Sequence, residues 1–231
     1  MNNPPRQLWP LAALVFASAA SSAQASTAYT VDFGSASAPT SCSADAGGLG
    51  GPIACTNYGY LWQGTGDVAG VVDLQYSAPR LGGESLRWWD TSYNNLSGVV
   101  WANGGDGNSQ ARIDIVALQP GLWVTVNGFD LGAYANTTRN TTLTVSDLSG
   151  NLLFSYSGAV GQGSSSATSF APAVQALGGV RIQWQDSAYN VGLDNLAFSV
   201  SAVPEPGTAA ALLAGLAVLG AVARRRQRPP R

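Results

Sequence analysis

Apolar and polar residues alternate along short stretches of this chain. At Arg112-Ile113-Asp114-Ile115, at Thr142-Leu143-Thr144-Val145 and at Val180-Arg181-Ile182-Gln183-Trp184 the period is two. Successive side chains on a strand point to opposite faces, so the isoleucines turn inward and the charges outward. Similar runs predict strands over Tyr29–Phe33, Val71–Tyr76, Ser85–Trp89, Gly98–Trp101, Leu122–Phe129, Leu152–Tyr156 and Leu193–Val200. Turn chemistry falls between them, at Gln119-Pro120-Gly121 and at Ser149-Gly150-Asn151, which separates two strands of a hairpin. No helical period persists in the body. The pattern predicts an all-β protein, a β-sandwich of jelly-roll type.

Two runs change phase. The apolar set is even-numbered along Leu122, Val124 and Val126 but odd at Phe129 and Leu131; it is odd at Val191 and Leu193 but even at Leu196, Phe198 and Val200. A period of two cannot change phase without an extra residue. Bulges are therefore expected near Asn127-Gly128 and near Asp194-Asn195.

The termini do not alternate at all. Arg6 precedes an apolar run from Leu8 to Ala20, and Ala23-Gln24-Ala25 is a small-x-small cleavage site. This is the layout of a secretory signal peptide over residues 1–25, a helix in transit that engages the Sec translocon and is cut by signal peptidase after Ala25. At the other end, Val203-Pro204-Glu205-Pro206 opens an uncharged run of 17 residues, Gly207 to Ala223, followed by Arg224, Arg225, Arg226 and Arg228. As a helix the run reaches about 26 Å, the short end of a transmembrane span. Arginines resist crossing lipid and hold the C-terminus in the cytoplasm, with the body outside the inner membrane. Between the two signals, residues 26–202 are long enough for one domain with its own core.

A Pro-Glu-Pro, an apolar helix and a terminal arginine cluster, in that order over residues 203–231, resemble the PEP-CTERM sorting signal of exported bacterial proteins. The resemblance implies recognition by a membrane-embedded exosortase and cleavage near Pro204-Glu205-Pro206. It also implies delivery to the cell surface or an exopolysaccharide matrix. A plain anchor that is never cut is the other reading. Within the body, the stretches Trp123–Leu131 and Val191–Phe198 resemble passages of PEP-CTERM proteins whose bodies are galactose-binding-like or lectin-like jelly rolls.

Charge divides the chain as sharply as hydropathy does. Residues 26–202 hold five arginines, no lysine and twelve acids, for a net charge of −7. A body this acidic repels phosphate backbones and excludes nucleic acid as a partner. The two cysteines, Cys42 and Cys55, flank a Gly-rich loop, and in an oxidising exported compartment they form a disulfide; closing such a loop contributes about 3 kcal/mol.

Catalytic options are few. The chain has no histidine, which removes the Ser-His-Asp triad, the Cys-His pair and histidine–metal centres. Glu84 is the body's one glutamate, and its aspartates mostly sit beside turn residues. Paired carboxylates across a cleft, as glycoside hydrolysis requires, are not evident. The expectation is a non-enzymatic surface protein.

A lectin-like site is the sharper alternative, because aromatic rings stack on sugar faces while amides and carboxylates bond the hydroxyls. Trp88-Trp89-Asp90 is the leading stretch. Leu86 shares parity with Trp88, which puts Trp88 inside and Trp89 outside and exposed. Asp90, Tyr93 and Asn94 follow at once, and Asp186, Tyr189 and Asn190 offer the same mix in a second loop. Tryptophans filling the sandwich core are the competing reading. For metals the expectation is none; Asp106, Asn108 and Asp194 carry calcium-type oxygens, but turn formation is the better explanation for them.

Overall fold

The computed structural model describes residues 25–34, 40–163 and 165–203, and in the tail 212–213, 215–217 and 219–220. The expected signal-peptide run, Pro204-Glu205-Pro206, Arg224, Arg225, Arg226, Arg228 and most of the expected C-terminal helix lie outside them. Among the described residues, no helix is long and apolar enough to cross a membrane.

The described residues between 27 and 202 form fifteen strands in two sheets. The larger sheet runs β12 (Thr168–Phe170), β9 (Leu122–Ala133), β15 (Val191–Ala202), β7 (Val99–Trp101), β6 (Arg87–Trp89), β4 (Tyr60–Leu61), β2 (Ser41–Ser43) and β3 (Ile53–Ala54). Beside β15 lies β1 (Thr27–Val31), and beside β9 lies β13 (Val174–Leu177). The smaller sheet runs β11 (Leu152–Val160), β10 (Arg139–Asp147), β14 (Gly179–Asp186), β8 (Ser109–Ala117) and β5 (Val72–Ser77). Among the described residues of the body, the 3-10 turn Pro79–Leu81 is the one helical element.

Alternation builds the core between the sheets. Along β8, Ile113 and Ile115 are fully buried while Arg112 and Asp114 remain at the surface. Asp114 stands opposite Arg181 of β14, which grips it through two bonds of 2.8 and 2.7 Å. A two-pronged guanidinium–carboxylate pair fixes register as well as adding energy. From β14, Val180, Ile182 and Trp184 enter the core, where they join Val126, Leu131, Leu193 and Phe198 of the larger sheet. The Trp184 indole N–H is satisfied by Val191 O at 2.8 Å, as a buried polar group requires.

The Ser149-Gly150-Asn151 turn joins β10 to β11, with Asn151 N donating to Asp147 Oδ1. Gln119-Pro120-Gly121 instead carries the chain from one sheet to the other. Both expected bulges are present and compensate one another. Between Asp194 and Ala197, β15 advances three residues while β9 retreats two, from Asp130 to Gly128. Between Ala197 and Phe198 the excess falls on β9, which passes over Asn127 to reach Val126. The two offsets cancel, so both strands keep their apolar faces inward along their full length.

The strands β2, β3 and β4 carry too few residues to show a period. They are held by pairing around Cys42, which faces Ile53 on one side and Leu61 on the other. A disulfide joins Cys42 to Cys55 across a sequence separation of 13, as their spacing and compartment suggest.

Candidate functional site

Alternation on β6 and β7 sends aromatic rings to both faces of the larger sheet. Trp88 and Val100 are cross-strand partners that face the main core, and Trp88 Nε1 donates to Phe33 O at 2.9 Å. Trp89, Val99 and Trp101 belong to a second cluster on the outer face, with Tyr93, Leu96, Tyr134 and Tyr189. Trp89 does point away from the main core, yet it is half-buried rather than exposed. The reason is local: Tyr58 and Tyr134 pack edge-on against it at 4.8 and 5.6 Å between ring centres.

The rings come from well-separated parts of the chain. Tyr58 precedes β4, Trp89 and Trp101 are strand residues, Tyr93 lies between β6 and β7, Tyr134 follows β9, and Tyr189 lies in the turn between β14 and β15. Trp101 is the hub, with Tyr58 and Tyr189 edge-on at 5.6 and 5.3 Å. Such edge-to-face pairs satisfy the ring quadrupoles and stiffen the cluster. Together with Asn190 the six rings line a shallow cavity of about 30 Å³. Tyr58 stands at its mouth, 51% exposed. Burial drives the Tyr93 hydroxyl pKa upward, so that ring stays neutral.

Of the residues expected in the site, Trp89, Tyr93, Tyr189 and Asn190 line this cavity, so the 88–95 and 185–190 stretches converge. Asp90, Asn94 and Asp186 are not in its lining. Asp90 accepts from Asn57 Nδ2 at 2.9 Å and from Thr91 Oγ1. Asn94 adopts φ 57° and spends its amide on the fold, donating to Thr137 O and Gly163 O while accepting from Ala133 N. Asp186 is 3.9 Å from Arg80. Sequence reasoning passed over Tyr58, Trp101 and Tyr134. Trp101 shared its parity with Val99 and opposed the inward Val100, which was a readable sign; Tyr58 and Tyr134 sit in loops whose convergence has no local mark.

The residues expected as calcium ligands are each engaged within the fold. Asp106 accepts from Arg139 Nη1 at 3.0 Å and from Asn190 Nδ2 at 2.8 Å. Asn108 bonds back to Gly105 O through its own N–H. Asp194, 3% exposed, accepts from Phe33 N at 2.8 Å. Burial raises its pKa to about 6, against the opposing pull of the Phe33 and Asn195 N–H groups. Among the described residues, no group of three or more histidines, cysteines or acids is arranged to hold a metal ion.

The sandwich is similar to a CBM4 structure at 13% identity and a TM-score of 0.28, over 56% of this chain and 86% of that one. It is similar to TmCBM61, in complex with β-1,4-galactotriose, at 15% identity and a TM-score of 0.30, over 56% and 88% of the two chains. Against an exo-β-1,3-galactanase from Phanerochaete chrysosporium, with galactose, the values are 17% and 0.29, over 55% and 27%. Likenesses at these TM-scores carry no argument about ligand or activity, and the sandwich is described from its own sheets. No curated protein matches the chain. Residues 202–227 match the PEP-CTERM protein-sorting motif, so this chain carries a PEP-CTERM sorting signal, which implies export and processing at the membrane.

Proposed function

We propose that this is a non-enzymatic, surface-sorted carbohydrate-binding protein whose sandwich associates with an exopolysaccharide through the outer aromatic cavity. The observation that carries the reading is the convergence of six rings on one outward face, with Tyr58 exposed at the mouth and Trp89 beside it. A sugar ring offers an apolar face to such a surface and its hydroxyls to the surrounding amides. Against catalysis stand the absence of histidine from the chain and the absence of any carboxylate from the cavity lining. Glu84 is engaged elsewhere, accepting from Tyr60 Oη at 3.2 Å and lying 3.8 Å from Arg87.

The sorting motif supports a route to the surface within this proposal. In this proposal the Sec translocon exports the chain, signal peptidase removes the leader after Ala25, and the uncharged 207–223 run holds the body outside with its C-terminus cytoplasmic. Exosortase then cuts near Pro204-Glu205-Pro206 and frees the sandwich to the cell surface or matrix. Mass spectrometry of surface protein tests this step, since a C-terminal peptide intact through Arg231 contradicts it.

The binding reading is tested with the full chain, purified in a detergent without a sugar headgroup and applied to a glycan array. Binding to one class of glycan, lost in Trp89→Ala, is expected. No bound glycan, or equal binding by the variant, overturns it.

A further inference from the structure

Among the described residues, the buried indole N–H of Trp101 in the cavity finds no acceptor. Trp101 is 2% exposed, it lines the cavity, and its Nε1 has no hydrogen-bond partner. Trp184 and Trp88, by contrast, each donate to a backbone carbonyl. A buried donor left without a partner costs about 1–3 kcal/mol, which an acceptor supplied by a ligand recovers. Asn190 adds the complementary group. Its Nδ2 is committed to Asp106, while its Oδ1 accepts no bond among the described residues. The cavity, about 30 Å³, is too small for a pyranose ring; that volume suits a small substituent.

We propose that the cavity admits the acetyl group of an acetylated sugar, its carbonyl oxygen accepting from Trp101 Nε1 and its methyl group lying among the tyrosine rings. This rests on the carbohydrate-binding reading above and names the class of glycan within it. The sugar ring that bears the acetyl group remains outside, against Tyr58. An N-acetyl group also presents an amide N–H suited to Asn190 Oδ1; an O-acetyl group lacks it.

An aromatic cage also attracts a quaternary ammonium, which makes choline the competing ligand in the test. Arg139 donates from Nε to the Tyr134 backbone carbonyl at 3.2 Å and is itself paired with Asp106 at 3.0 Å.

The test uses the full chain in the same detergent, titrated with four sugars. These are chitotetraose, its deacetylated glucosamine counterpart, O-acetylated xylan and the same xylan after alkaline deacetylation. Choline is a fifth ligand. At least one acetylated member is expected to bind roughly tenfold or more tightly than its deacetylated partner. Chitotetraose leading points to N-acetyl, and xylan to O-acetyl. Trp101→Phe keeps the ring but removes the donor, and it should erase the preference while leaving weak binding to both members. Should that variant fail to fold, the indole N–H resonances of the wild-type chain decide. The acetylated ligand should shift one indole signal strongly downfield, and that signal should be absent from no other single Trp→Phe variant of the body. Equal affinity within each pair, or no indole shift, overturns the acetyl assignment and leaves carbohydrate binding standing. Selective binding of choline overturns it in favour of a cation. Binding of deacetylated sugars alone contradicts it, and binding of none removes both readings.

Discussion

Gly132 and Gly192 stand directly opposite one another on β9 and β15, and the loop carrying Tyr93 rests on the bare backbone they leave. A Cβ at Gly132 would lie 2.4 Å from Tyr93 O, and one at Gly192 would lie 2.5 Å from Val99 Cγ2. Neither glycine needs a left-handed backbone, so their role is close approach. The aromatic cavity exists because this pair lets a loop settle on the outer face of a sheet.

Gly132→Ala should therefore lift the 93–96 loop and disorganise the cavity. The obstacle is backbone, which yields little, and overpacking of this kind costs about 1–3 kcal/mol. Thermal unfolding should register the loss, and the near-ultraviolet circular dichroism of Trp89 and Trp101 should weaken with it. An unchanged aromatic spectrum would show that the loop does not depend on the glycine pair.

Asp194 makes stability depend on pH in an unusual direction for a carboxylate. Its folded pKa is about 6 against the ordinary 3.8, because burial penalises the charge. The folded protein thus holds this proton more tightly than the unfolded chain. The contribution is full below pH 3.8 and is lost as pH rises through about 6. Two units at about 1.4 kcal/mol each make the penalty near 3 kcal/mol at neutral pH. Asp194→Asn cannot titrate and keeps an oxygen for Phe33 N–H. Measured by denaturant unfolding, the variant should gain about 2–3 kcal/mol on the wild type between pH 4 and pH 7. Parallel stability curves would contradict the buried-acid account.

The disulfide should matter more to one corner than to the whole. Cys42 sits in β2 between β3 and β4, at the edge of the larger sheet and away from the 120–200 strands that make most of the core. Replacing both cysteines by alanine should lower stability by about 3 kcal/mol. Amide exchange should accelerate over residues 41–61 first. Uniform acceleration across β9 and β15 would mean that the bridge supports the main core instead.

Sequence periodicity carried far in this chain wherever a strand was long enough to show it. The phase change at Asn127 and Asn195 is a one-residue defect in an otherwise regular pattern, and the structure places compensating bulges at both. Ile113, Ile182 and Trp184 were readable as core for the same reason. Strands of two or three residues, such as Tyr60–Leu61, show no period because their pairing is set by distant partners and a disulfide. The site divides along similar lines. Clustered aromatic and amide residues marked the 88–95 and 185–190 stretches, but Asn94 in such a stretch turned out to hold the turn itself. Its left-handed backbone and three bonds are consequences of tertiary contact with residues 133, 137 and 163. The assembly of Tyr58, Trp101 and Tyr134 around Trp89 depends on which strands neighbour one another, and no local pattern reports that.

The most direct test is a fluorescence titration of the full chain with exopolysaccharide from the cells that produce it. Trp89 and Trp101 line the cavity, so occupancy should change their emission in a saturable way. That change should be lost in Trp89→Ala while the variant still unfolds in one cooperative transition. A flat titration, or a saturable change undiminished in the variant, would contradict the claim that this exported sandwich holds polysaccharide through its outer aromatic cavity.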